Sequence, residues 1–158
     1  MRKTLFLVLA ASIVAFTACE KDKDSEPKSK TSLLTSESWK MTASVVDPAV
    51  DWDGFGTMVT NIYSQMPACS KDDIVTFKSN GTYINEEGPS KCDPSDPDVI
   101  DTGTWTFNSD ETKIVINDGE GFTMDANILE LTSSSMKITY DLVTDVTYSF
   151  TETYTVIK

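Results

Sequence analysis

Histidine is absent from the 158 residues of this chain. Its absence removes the commonest general base, and with it the serine and cysteine triads built on imidazole. Cysteine is nearly as scarce: there are three and no CxxC pair, so no zinc-type ligand set is expected. No Gly-rich phosphate loop or dinucleotide-binding glycine pattern occurs. Glu86 and Glu87 are paired carboxylates, but neighbours on a strand point to opposite faces and cannot flank one substrate. The chain is therefore expected to have no enzymatic activity, no cofactor and no metal. Basic residues are few as well, 13 against 25 acidic, for a net charge of −12. A footprint able to neutralise nucleic-acid phosphates is missing, and the acidic excess bears on solubility and on repulsion from anionic surfaces.

The apolar run Leu5–Phe16, broken only by Ser12, falls short of the roughly 20 residues that cross a bilayer. It follows Arg2-Lys3, ends in Phe16-Thr17-Ala18-Cys19, and gives way to the charged stretch from Glu20 to Pro27. A positive start, a short apolar centre and small residues before a cleavage point make an export signal. Cysteine at the first mature position resembles a bacterial lipoprotein signal, with Phe16 where an aliphatic residue is usual. Residues 1–18 are thus expected to be a removed signal peptide, 19–30 an acylated cysteine and tether, and 31–158 one folded domain. Acyl chains on Cys19 bury methylenes at about 0.8 kcal/mol each, and two or more chains anchor stably. The expected location is the outer membrane, by a lipid anchor. Which face it occupies stays open, because Lys21 and Lys23 interrupt the acidic run that would resemble a surface-export signal. With Cys19 consumed by lipid, Cys69 and Cys92 remain as an even pair in a compartment that permits disulfides. They are either bonded, a loop closure worth ~3 kcal/mol, or two buried free thiols.

Most of the domain alternates with a period of two. Val146, Tyr148, Phe150, Tyr154 and Val156 share one parity, and Met136, Ile138, Tyr140 and Leu142 do so in the preceding segment. Such strands belong to an antiparallel sheet with one buried face. Strands are also expected at Ser38–Val46, Asp73–Ser79, Thr82–Glu86, Thr102–Asn108, Lys113–Asn117 and Phe122–Leu131, with an Asn80-Gly81 hairpin turn and a bulge near Asn127. Met58, Ile62 and Met66 recur at helical spacing within Asp51–Cys69 and predict a short helix between the first two strands. Lys91–Asp101, with two prolines and four aspartates, reads as an exposed loop. The expected fold is all-β: an eight-stranded antiparallel up-and-down barrel, just wide enough for side chains or one small ligand.

Ser38-Trp39-Lys40, Cys69 before Lys71-Asp72-Asp73, Thr76 to Tyr83, Cys92, Gly103-Thr104-Trp105 and Ile128-Leu129-Glu130-Leu131 together resemble the lipocalin-like domains of bacterial surface lipoproteins. Glu37 stands where true lipocalins carry the glycine of Gly-x-Trp. The resemblance implies the eight-stranded barrel and a Cys69–Cys92 disulfide, and little chemistry.

Two functional classes follow. In the first, the barrel accepts a small apolar or amphipathic molecule, lined by inward positions Trp39, Met41, Val75, Phe77, Tyr83, Trp105, Phe107, Ile114, Ile116, Leu129, Leu131, Ile138, Tyr140, Tyr148 and Phe150. In the second, the barrel is filled, Trp39 and Trp105 plug it, and the loops bind a protein or glycan, with Trp52 as a recognition residue or a cap on one mouth. Tyr83, Tyr140, Tyr148 and Tyr154 at inward parity need partners for their hydroxyls. Asp93, Asp96, Asp98 and Asp101 offer oxygens for a hard cation, but without EF-hand spacing they read as a solvated acidic loop. The chain is expected to act as a monomer.

Overall fold

The structure, a computed structural model, describes residues 27–157. The signal segment 1–18, Cys19 and the tether up to residue 26 lie outside the described residues. A short helix α1 (Lys30–Thr35) precedes strand β1 (Ser38–Asp51), β2 (Met58–Asn61), a one-turn helix α2 (Ile62–Gln65) and a 3-10 turn (Cys69–Lys71). Then come β3 (Ile74–Phe77), β4 (Thr82–Glu86), β5 (Val99–Phe107), β6 (Lys113–Asn117), β7 (Thr123–Leu131), β8 (Ser135–Val143) and β9 (Thr147–Ile157). From β3 to β9 each strand pairs antiparallel with the next. The barrel closes where β9 returns to β1, from Ser38 opposite Ile157 to Asp47 opposite Ser149. On its other edge β1 takes β3 early, with Trp39 opposite Val75, and β2 late, with Val50 opposite Val59. Eight strands form the barrel and β2 is an addition on the end of β1.

Three sequence expectations shift here. The short helix expected within Asp51–Cys69 is Ile62–Gln65, without Met58 at its start, and is capped by the Asn61 side chain accepting from Ser64 N. Met58–Asn61 instead pairs with β1, which runs past the barrel rim and would otherwise leave an open edge. Strand β5 begins at Val99, with Asp101 already opposite Asn85, so the acidic loop is shorter than expected. In β7 the extra residue is Leu129: Ile128 pairs with Ile138 and Glu130 with Lys137. One added residue reverses the side-chain parity. Leu129 is therefore 55% exposed rather than inward, while Ile128 and Leu131 pack on the core.

The end of the barrel where β1 begins is closed. Helix α1, capped by Ser29 Oγ accepting from Ser32 N, lowers the fully buried Leu34 over Trp39. The Trp39 indole N–H donates to the Leu34 carbonyl at 2.9 Å, and Trp105 donates to the Lys78 carbonyl at 2.9 Å. Both indoles thus bury their rings without stranding a donor. Phe77 and Phe107 meet Trp105 edge-on, at centroid distances of 5.8 and 5.4 Å, and Ile114, Ile138 and Met136 fill the remainder. Lys30 Nζ fastens the helix to the Glu111 carbonyl in the β5–β6 turn. Gly103 has no room for a side chain, since a Cβ there would collide with the Asn117 carbonyl.

A short helix has little stability of its own, so its hold is the buried leucine. Leu34→Ala is expected to lower unfolding free energy by about 3 kcal/mol in urea denaturation. A loss under about 0.5 kcal/mol would mean that α1 is not part of the cooperative unit.

Candidate functional site

At the opposite end, the barrel is not filled. A cavity of about 370 Å³ lies inside the mouth, bounded by Met41 and Ser44 of β1, Tyr140 of β8, Phe150 and Glu152 of β9, and a lid of Trp52, Ile62, Met66, Pro67 and Ser70. A smaller recess of about 160 Å³ shares Met41, Met66 and Ser70 and runs on to Asp73, Val75, Tyr83, Asn85 and Tyr154. The larger space falls in the range of small-ligand sites. Larger depressions elsewhere, around Ser79 and Asn80, are open grooves on the outside of the closed end.

The lid owes its position to covalent and local bonds. Cys69 and Cys92 form a disulfide that ties the 3-10 turn to the β4–β5 loop. The loop side is firm in its own right: Asp93 Oδ1 accepts from Ser95 N and Oγ, Asp96 Oδ2 accepts from Asp93 N, and Asp98 pairs with Lys91 at 2.6 Å. Those carboxylates are engaged within the loop, and among the described residues no cluster of metal-ligating side chains converges. Apolar side chains stand exposed around the mouth: Phe55 and Met58 beside the lid, Phe122 in the β6–β7 turn, Val143 and Val146 at the β8–β9 turn.

Of the positions expected to line a ligand, Met41, Tyr140 and Phe150 border the cavity, and Met41, Val75 and Tyr83 border the recess. Trp39, Phe77, Trp105, Phe107, Ile114, Ile116, Leu131 and Ile138 belong to the packed core instead. Tyr148 sits half-buried near the start of β9, opposite Leu142, and borders neither space. Leu129 faces outward. Trp52 is half exposed and forms part of the lid.

The centre of the site is a residue that the apolar parity of β9 passes over. Glu152 lies between Phe150 and Tyr154 on the inner face and is only 8% exposed. A charged residue at an inward position of an otherwise apolar strand face was the available signal. Tyr140 Oη donates to Glu152 Oε1 at 3.0 Å and Tyr154 Oη to Oε2 at 2.6 Å. Ser44, itself buried, stands directly opposite on β1. The Tyr140 ring stacks on Phe150 at 5.4 Å, which fixes the direction of its hydroxyl. Burial holds the Glu152 carboxyl above its ordinary 4.5, against the pull of the Tyr154 and Tyr140 hydroxyls, which favour the charged form. Tyr83 nearby is pushed up to about 12, by burial first and then by the charges of Asp101 and Glu152. Burial also raises Tyr140 and Tyr154, with Glu152 adding to it.

A carboxyl raised by folding binds its proton more tightly in the native state. Its contribution to stability is complete below the ordinary carboxylate range and is lost as pH rises through the folded value. Tyr83, Tyr140 and Tyr154 around it do not titrate in that window, and Asp73, also raised by burial, is common to wild type and variant. Glu152→Gln should therefore gain in melting temperature relative to wild type as pH is raised from about 4.5 towards neutrality. Thermal melts of the two proteins at matched pH read the difference directly, and a pH-independent gap would show that Glu152 is charged alike in both states.

Residues 36–138, more than half of the chain, match a family model described as a lipocalin-like domain. No curated protein matches the chain. The matched span takes in most of the closed core, Met41, the lid and the disulfide; Leu34 lies before it, and Tyr140, Phe150, Glu152 and Tyr154 lie beyond it.

Proposed function

The chain belongs to the family of lipocalin-like domains, and from that premise we propose a non-catalytic binding module for one small apolar or amphipathic ligand, held in the cavity at the open mouth. The observation that carries this reading is the division of the barrel. Its closed half is packed with aromatic and aliphatic side chains, while its open half keeps about 370 Å³ lined mainly by apolar groups with a few polar ones. Pockets of that composition suit a molecule with a greasy body and one or two polar points. A chain without histidine lacks the commonest general base for turnover.

The module is held, in this reading, at the outer membrane by lipid on Cys19. Support comes from the sequence: Arg2-Lys3, the short apolar run, and the small residues that end at Cys19. The exposed apolar rim favours a second use of the mouth, as the place where a membrane-derived ligand or a partner first touches the protein.

Titration with the neutral fluorophore N-phenyl-1-naphthylamine should give saturable, one-to-one binding. Met66→Trp, which fills the mouth from a half-buried position, should weaken it about tenfold at unchanged melting temperature. Non-saturable fluorescence in the wild type would overturn the ligand reading. For the anchor, Cys19→Ala should leave a folded, disulfide-bonded domain in the soluble fraction; a variant that still sediments with membranes would place the anchor elsewhere.

A further inference from the structure

We infer that the cavity selects an amphipathic amine, with the cationic nitrogen against Glu152 and the apolar body against Met41, Met66 and Phe150. The inference rests on the reading of this cavity as a ligand site and deepens it.

The wall supplies acceptors and negative charge at its polar points. Among the described residues, Glu152 is the one carboxyl bordering the larger space, Asp73 borders the recess with its Oδ1 buried and without a hydrogen-bond partner, and no Lys or Arg lines either space. Cations carried by the mouth are engaged elsewhere: Lys71 Nζ lies 5.1 Å from the centre of the Tyr63 ring, and Lys91 is paired with Asp98. Each Glu152 oxygen takes one tyrosine hydroxyl, and a carboxylate oxygen has room for a second donor. A fatty acid would bring carboxylate against carboxylate with no cation between them. An alcohol would offer one hydrogen bond and no charge. An ammonium adds opposite charge in a poorly hydrated site, where the ion-pair attraction is screened far less than in water. The strongly acidic chain draws cations towards this mouth from solution.

The test uses three ligands with one apolar body, octylamine, 1-octanol and octanoate, titrated calorimetrically into the full chain at neutral pH. Octylamine is expected to bind about tenfold more tightly than octanol, with octanoate weakest. Glu152→Gln should weaken octylamine about tenfold and so remove its advantage over octanol. If Glu152→Gln does not fold, the carboxyl carbon signal of Glu152 in labelled wild type decides: it should move with octylamine well beyond any change with octanol. Octanol or octanoate binding as tightly as octylamine, or a Glu152 signal indifferent to the amine, would overturn the amine inference and leave the ligand reading in place. Failure of all three ligands and of the naphthylamine fluorophore would overturn both.

Discussion

Strand β1 pairs with β9 from Ser38 to Asp47, and this seam decides what the inside of the barrel contains. Along it Trp39 faces Val156, Met41 faces Tyr154, and Ser44 faces Glu152. The register shifts between Met41 and Ala43, so that Thr42 is an extra residue and the inward set changes from Trp39 and Met41 to Ser44 and Val46. A seam without that shift would have turned Ser44 to solvent and removed the small polar side chain opposite the buried carboxyl. Closure and site chemistry are therefore consequences of one pairing.

The two halves of the barrel solve different problems. In the closed half, large rings meet edge-on and their indole donors reach backbone carbonyls at the rim, so both buried donors are satisfied. In the open half, a buried acid is tolerated because two phenols satisfy it. Neither arrangement would serve in the other's place. Glu152 beside Trp39 would lack donors, and an aromatic at position 152 would fill the cavity.

Alternation made the strands readable, and Asn80-Gly81 made the β3–β4 hairpin readable, because both are local patterns. Phe77, Trp105 and Ile138 could be set inside from parity alone. The features that parity missed are those where a strand departs from its own period or where contacts are distant in sequence. Leu129 turned outward and Ser44 turned inward through one-residue insertions whose positions depend on the partner strand. Leu34 lies ahead of the strands, and its burial depends on a barrel end assembled from β3, β5 and β7. Met58–Asn61 took strand geometry against its helical spacing because the overhanging edge of β1 offered hydrogen bonds. Glu152 was visible as an acid among apolar neighbours, but its two phenolic partners became evident only with β8 and β9 side by side.

Helix α1 carries a directional consequence. It plugs the end of the barrel where the described chain begins, and the cavity opens at the other end, so the first described residues lie on the side away from the mouth. A domain suspended from its N-terminal side would hang with its stopper towards the point of suspension and its aperture towards the surrounding medium. A ligand taken up by such a domain would enter at the pole opposite its N-terminal side.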